Sequence, residues 1–281
     1  IVKFTKMQGA GNDYLYIDAR NMEKDWGRLA IDMSNRHFGV GSDGIILIQT
    51  SDIADLKMRM FNSDGSEGEM CGNGIRCFAK YSLDKGIVSS TEGKIQVETL
   101  AGIRDIVPIR EYGIVVAARV SMGKPIFSPD DVPVVVDLNC ISPVTNYPVS
   151  ISGRNFHMGF VSMGNPHAVT FIEEPVRDFP LHSIGPVVEH DDMFPRRVNF
   201  EIVNIVDECN LTARVWERGS GETLACGTGA CGIAVVSRLL GHTAERVNIT
   251  LPGGILTIEW DGVGEVFLEG PAEEVFSGDW D

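Results

Sequence analysis

A duplication constrains this chain more than any other feature. With Cys71 set on Cys226, an offset of 155, Arg59-Met60-Phe61 falls on Arg214-Val215-Trp216 and Glu67 falls on Glu222. Cys71-Gly72-Asn73-Gly74 falls on Cys226-Gly227-Thr228-Gly229 without a gap. Upstream, Gly11-Asn12 matches Gly164-Asn165 at an offset of 153, and downstream Thr99-Leu100-Ala101-Gly102 resembles Thr250-Leu251-Pro252-Gly253 at 151. Markers in one order at a nearly constant offset are the signature of a repeated structural unit. The length of 281 residues is ample for two medium domains, each with its own core.

The segment after each Cys-Gly-x-Gly reads as a helix. Ile75, Phe78, Ala79, Ser82 and Leu83 keep helical spacing, and Gly86 is the expected stop. Ala230–Leu240 is apolar almost all round and stops at Gly241, which marks an enclosed helix. Trp26–Arg36 reads as a surface helix. Short β-branched runs cut by Gly and Pro read as strands, among them Ile45–Ile48, Lys57–Phe61, Gly113–Ala117 and Val266–Leu268. The expected fold is α+β: two pseudo-symmetric domains, each a curved mixed or antiparallel sheet wrapped around a central helix, with an active site in the cleft between them. The expected bounds are 1–122 and 123–269, with the last segment, 270–281, returning to the first domain.

The net charge is −15, so phosphate backbones and anionic lipid surfaces are poor partners. No apolar run approaches the roughly 18 residues that span a bilayer. Ile1–Lys6 lacks the apolar core of a signal peptide. With six cysteines and no C-x-x-C, the chain reads as cytoplasmic, with reduced thiols and no metal site. Cys77, Cys140, Cys209 and Cys231 read as packing thiols.

Cys71 and Cys226 read differently, because both copies keep Cys at the same helix start while neighbouring positions drift. A helix N-terminus offers free amides and partial positive charge, which lower a thiol pKa. The amides of Gly72-Asn73 and Gly227-Thr228 form anion cradles. Two thiols on opposite faces of one carbon suit inversion of that centre: one removes a proton, the other returns one. The cradles stabilise the charge that develops on the adjacent carboxylate. This chemistry needs no metal and no pyridoxal phosphate.

Taken together, Lys6–Asp13, Asn62-Ser63-Asp64-Gly65-Ser66, Met70–Gly74, Gly164-Asn165-Pro166-His167, Glu217-Arg218-Gly219 and Ala225–Gly229 resemble diaminopimelate epimerase over nearly the whole chain. The resemblance implies a cofactor-independent isomerase that interconverts LL- and meso-diaminopimelate through Cys71 and Cys226, in lysine and peptidoglycan precursor synthesis. It implies substrate contacts at Asn12, Gly72, Asn73, Gly227 and Thr228 around the reacting centre. Asn62, Asn165, Asn199, Glu217 and Arg218 match the family's remaining substrate positions, with the Arg218 fork suited to the distant carboxylate. His167 and Glu217 match the pair that adjusts the thiols. The resemblance also implies a homodimer. It departs at Gly44, where many members carry a Gln that helps hold the reacting end. Rival readings are a proline- or hydroxyproline-type racemase of the same fold, a disulfide switch between Cys71 and Cys226, and a non-catalytic amino-acid binder.

Overall fold

The computed structural model describes residues 1–137 and 139–281. Backbone contacts divide the chain into two units, Ile1–Ser121 with Glu269–Asp281, and Met122–Leu268. The first unit holds β1 (Val2–Gly9), β2 (Asn12–Asp18), α1 (Trp26–Ser34), β3 (Gly44–Gln49), β4 (Leu56–Asn62), β5 (Glu67–Gly68), α2 (Gly72–Asp84), β6 (Ile95–Thr99), β7 (Gly102–Glu111) and β8 (Ile114–Ser121). The second begins with β9 (Tyr147–Ile151), β10 (Arg154–Ser162), β11 (Pro166–Phe171), α3 (Leu181–Glu189) and β12 (Asn199–Asp207). It continues through β13 (Asn210–Glu217), β14 (Gly221–Thr223), α4 (Gly227–Leu239), β15 (Arg246–Leu251) and β16 (Gly254–Glu259). The chain then passes along β17 (Phe267–Pro271) to β18 (Glu273–Trp280).

The two units repeat one topology. In the first, β1 pairs antiparallel with β2, β2 parallel with β3, β3 antiparallel with β4, and β4 parallel with β6. In the second, β10 to β11, β11 to β12, β12 to β13 and β13 to β15 follow the same senses. The parallel steps need crossovers, which α1 and α2 supply in the first unit and α3 and α4 in the second. The outer partner of the first strand differs in origin. β9 pairs with β10 as a local hairpin, whereas β1 is paired antiparallel by the C-terminal strand β18.

Burial follows from this layering. Ile45–Ile48 is buried at every residue, because β3 is covered on both faces. One face packs on Trp26, Ala30 and Met33 of α1. The matching core of the second unit gathers Phe156, Phe160, Phe200, Leu181 and Val188. Helices α2 and α4 are each thirteen residues long and almost wholly buried. Their C-caps are Lys85 and Leu240, and the next residues, Gly86 and Gly241, take the left-handed conformation that closes a helix. Helix α1 is shorter than its apolar pattern, since Asn35 turns its side chain onto the amides of His37 and Phe38. Cys209 is exposed in a turn, which corrects its reading as a packing thiol; Cys77 and Cys231 are buried, and Cys140 packs against the second core. Among the described residues no helix is long and apolar enough to cross a membrane.

The duplication extends to individual hydrogen bonds. Arg59 grips Glu67 through Nε and Nη2 at 2.7 and 3.0 Å, and Arg214 grips Glu222 through the same atoms at 2.7 and 2.9 Å. Each pair clamps the short strand that leads into its buried helix.

Candidate active site

Each cysteine is the N-cap of its buried helix, in nearly the same backbone conformation: φ −125°, ψ 121° at Cys71 and φ −120°, ψ 116° at Cys226. Each sulfur accepts the amide three residues on, from Gly74 at 3.4 Å and Gly229 at 3.3 Å. Sulfur thus takes the place of the usual Ser or Asp oxygen and satisfies one orphan donor of the helix. Gly72 and Asn73, and Gly227 and Thr228, occupy the first turns.

In the first unit Cys71 is half-buried, and its thiol donates to Asn12 Oδ1 at 3.1 Å. Asn12 in turn donates to Asp43 Oδ2 at 2.5 Å, and Arg36 holds the other Asp43 oxygen at 2.8 Å. The Asn12 amide is therefore locked by a chain of charge that runs from half-buried Asp43 out to exposed Arg36. Tyr14 is buried with its hydroxyl directed to Cys71 and Asn12; burial and then the Cys71 charge push its pKa well up, so the phenol keeps its proton. Strand register sets Tyr14, Gly44 and Asn62 side by side across β2, β3 and β4. Asn62 is half-buried and donates to Ser66 Oγ at 3.0 Å.

In the second unit the equivalent row begins with His167 and Asn199, paired across β11 and β12. Asn199 is buried and works as a strut: it donates to the Pro166 carbonyl at 2.9 Å and accepts the Arg218 amide at 2.8 Å. Arg218 itself is exposed, and its Nη1 donates to the Arg196 carbonyl at 3.2 Å. Glu217 accepts the Thr223 hydroxyl at 2.5 Å. His167 is fully buried; Nδ1 lies 2.6 Å from Glu201 Oε1 and Nε2 lies 2.9 Å from Asn165 Oδ1.

Cys226 departs from the expectation that a helix N-terminus lowers its pKa. Burial pushes the thiol well above its ordinary value, and the carboxylate of Glu217 adds to this. Hydrogen bonds from Thr228 and the Gly229 amide offset part of the rise. Desolvation and like charge outweigh the helix end. Cys226 thus holds its proton.

The structure brings Cys71, Asn12, Gly72 and Asn73 together in one unit. In the other it gathers Cys226, Glu217, Gly227 and Thr228, with His167 bonded to Asn165. Sequence reading passed over Asp43, Tyr14 and Glu201. A signal for Glu201 was present: it is a lone charge in the buried run Asn199–Val203. Gly44 has a steric cause, since a Cβ there would fall on the Phe61 carbonyl oxygen. Among the described residues no group of three or more His, Cys, Asp or Glu side chains is arranged to hold a metal ion.

Solved structures with this fold include a probable proline racemase from Agrobacterium radiobacter, with a TM-score of 0.71 and 12% identity over 100% of this chain and 93% of that one. A phenazine biosynthesis protein of the PhzF family from Bacillus anthracis has a TM-score of 0.69 at 14% identity, covering 100% and 99%. Among curated relatives, a diaminopimelate epimerase of Acetivibrio thermocellus is 47% identical over 100% of this chain and 99% of its own length. One from Methanococcus maripaludis is 46% identical, covering 100% of both. The diaminopimelate epimerase family model matches residues 4–127 and 159–275, which include both cysteine caps. With the match running through both halves and relatives near half-identical end to end, the chain belongs to the diaminopimelate epimerase family.

Proposed function

We propose that this chain interconverts LL- and meso-diaminopimelate, with Cys71 and Cys226 as the two proton-transfer groups. One thiolate breaks the Cα–H bond and keeps the proton. The electron pair delocalises into the adjacent carboxylate, and the amides of Gly72-Asn73 and Gly227-Thr228 stabilise it. The opposite thiol then gives its proton to the other face, so the product leaves thiol and thiolate exchanged. The observation that carries this reading is the matched pair of cysteine N-caps, one in each copy of a duplicated unit. Cys226, held protonated by burial and by Glu217, suits the donor in one direction, leaving Cys71 as base.

Asn12, locked by Asp43, suits a substrate contact near the reacting centre. Asn62, Asn165, Asn199 and Arg218 suit the distant amino-acid end, with Arg218 supplying a fork for its carboxylate. Site groups left unpaired by a shorter amino acid would reject it. By family resemblance we also read the protein as a cytoplasmic homodimer, which sedimentation of the full chain tests.

The experiment is proton exchange in heavy water with diaminopimelate as substrate and proline as control. The expected result is deuterium at one stereocentre of diaminopimelate and none in proline. Cys71→Ala and Cys226→Ala should each lower turnover by about 10²–10⁴-fold or more. Turnover that survives either substitution, or deuterium at both centres of one molecule at low conversion, before the symmetric LL form has turned over repeatedly, would overturn the scheme.

A further inference from the structure

The two halves differ at one buried place directly under the cysteine caps. A Cβ added to Gly74 would meet Ile46 Cδ1 at 2.7 Å and the Cys71 Cβ at 3.3 Å. A Cβ added to Gly229 would meet Glu201 Oε1 at 2.9 Å and the Cys226 Cβ at 3.2 Å. Ile46 and Glu201 are counterparts at the offset of 155, and Tyr14 and His167 are counterparts at 153. The first half fills this space with a methyl group, so the architecture itself does not require a carboxyl there. Glu201 is fully buried, and such a group costs free energy unless it has work to do.

We propose that Glu201 is a positioning residue. Its carboxyl group donates a hydrogen bond to His167 Nδ1 and holds the imidazole as its Nε2–H tautomer. Through the Nε2–H···Oδ1 bond it keeps the Asn165 amide turned with its NH2 group available to a substrate carboxylate. The last step rests on the proposed function, in which Asn165 is a substrate contact.

The donors and acceptors around His167 support this assignment. Asn165 Oδ1 can only accept, so His167 Nε2, 2.9 Å away, carries a hydrogen. A neutral imidazole then presents a bare Nδ1, and its partner at 2.6 Å must donate. A carboxyl oxygen donates only when protonated. The other oxygen, Glu201 Oε2, is buried without a hydrogen-bond partner. That is tolerable for the carbonyl of a neutral acid and far more costly for a carboxylate. Burial favours the neutral form of both groups: Glu201 rises well above 4.5, helped by the charge of Glu217, and His167 falls to about 3.

The test uses the full-length protein. Nitrogen NMR of histidine-labelled protein, with His167 assigned among the six histidines by substitution, reads the tautomer directly. The expected wild-type spectrum shows His167 protonated at Nε2 and bare at Nδ1. Glu201→Met removes the donor and should lower kcat/KM about tenfold, mainly through KM, with loss of the fixed tautomer. Glu201→Gln, whose amide can donate in the same place, should restore most of both. His167 protonated at both nitrogens or at Nδ1 in the wild type would overturn the proposal. So would Glu201→Met with wild-type KM. If Glu201→Met does not fold, the wild-type spectrum and the Gln variant decide. A wild type that shows the expected tautomer but epimerises nothing would refute the proposed function and leave the Glu201–His167 arrangement standing.

Discussion

Asn199 holds the backbone of Arg218: its Oδ1 accepts the Arg218 amide at 2.8 Å while its Nδ2 donates to Pro166 at 2.9 Å. One buried amide thus ties the loop bearing Arg218 to the strand bearing His167. Asn199→Leu should leave both backbone groups without their partner and cost about 1–3 kcal/mol of stability. Because Arg218 would lose its fixed base, KM for diaminopimelate should rise about tenfold with kcat less affected. Steady-state kinetics beside a urea melt measure both, and an unchanged KM would remove Asn199 from substrate positioning.

Cys226 should be slow to alkylate. It is 6% exposed, and burial and Glu217 keep it protonated, whereas the thiolate is the form that reacts. Iodoacetamide at neutral pH should modify exposed Cys209 at least tenfold faster than Cys226, as peptide mass spectrometry would show. Glu217→Gln removes one cause of the raised pKa and should quicken Cys226 labelling. Equal rates at Cys209 and Cys226 would contradict the environment described for Cys226.

The Glu201–His167 pair should leave a mark on stability against pH. Between the usual values of 4.5 for Glu and 6.5 for His, an unfolded chain carries a carboxylate and an imidazolium, which together hold one proton. The buried pair also holds one, so its contribution is level there. Above 6.5 the unfolded His loses its proton while folded Glu201 keeps its own, and stability falls as pH rises. Below 4.5 the unfolded Glu gains a proton that His167 does not match until about 3, and stability falls as pH drops. The wild-type Tm minus that of a Glu201→Leu, His167→Phe double variant should therefore peak between about 4.5 and 6.5. A difference that keeps rising through either limit would disprove a shared single proton.

Restoring the family's glutamine at position 44 should fail. Gly44 pairs with Asn62, and a Cβ there would fall on the Phe61 carbonyl oxygen. Gly44→Gln should cost about 1–3 kcal/mol through forced backbone movement, without improving KM. A stable Gly44→Gln protein with lower KM would mean that β3 and β4 part easily to admit a side chain.

The repeated Arg–Glu clamps should differ in strength. Arg214 also donates to the carbonyls of Val176 and Phe179 at 2.6 and 3.0 Å, and its side chain is 14% exposed, against 30% for Arg59. Arg214→Lys loses the fork and those carbonyls, and should cost about 2 kcal/mol. Arg59→Lys loses a more solvated pair and should cost about 1 kcal/mol or less. Thermal melts of the two variants give the comparison, and equal losses would set aside burial as the cause.

Much of this protein was legible in one dimension. The constant offset between Cys71 and Cys226 announced a doubled unit, and helical spacing with Gly86 and Gly241 as stops announced the two buried helices. The cysteines as helix caps followed from the same local pattern. Such features are properties of neighbouring residues, so a linear string carries them.

The tertiary structure decided which groups share a buried volume. It set Glu201 rather than a hydrocarbon beneath Gly229, made Asn199 a strut for Arg218, and placed Cys226 in the burial that, with the Glu217 carboxylate, keeps it protonated. It also drew β18 across the chain onto β1. Pairing register and burial bring together residues tens to hundreds of positions apart, and desolvation in that shared volume sets their charge, so no local pattern encodes either.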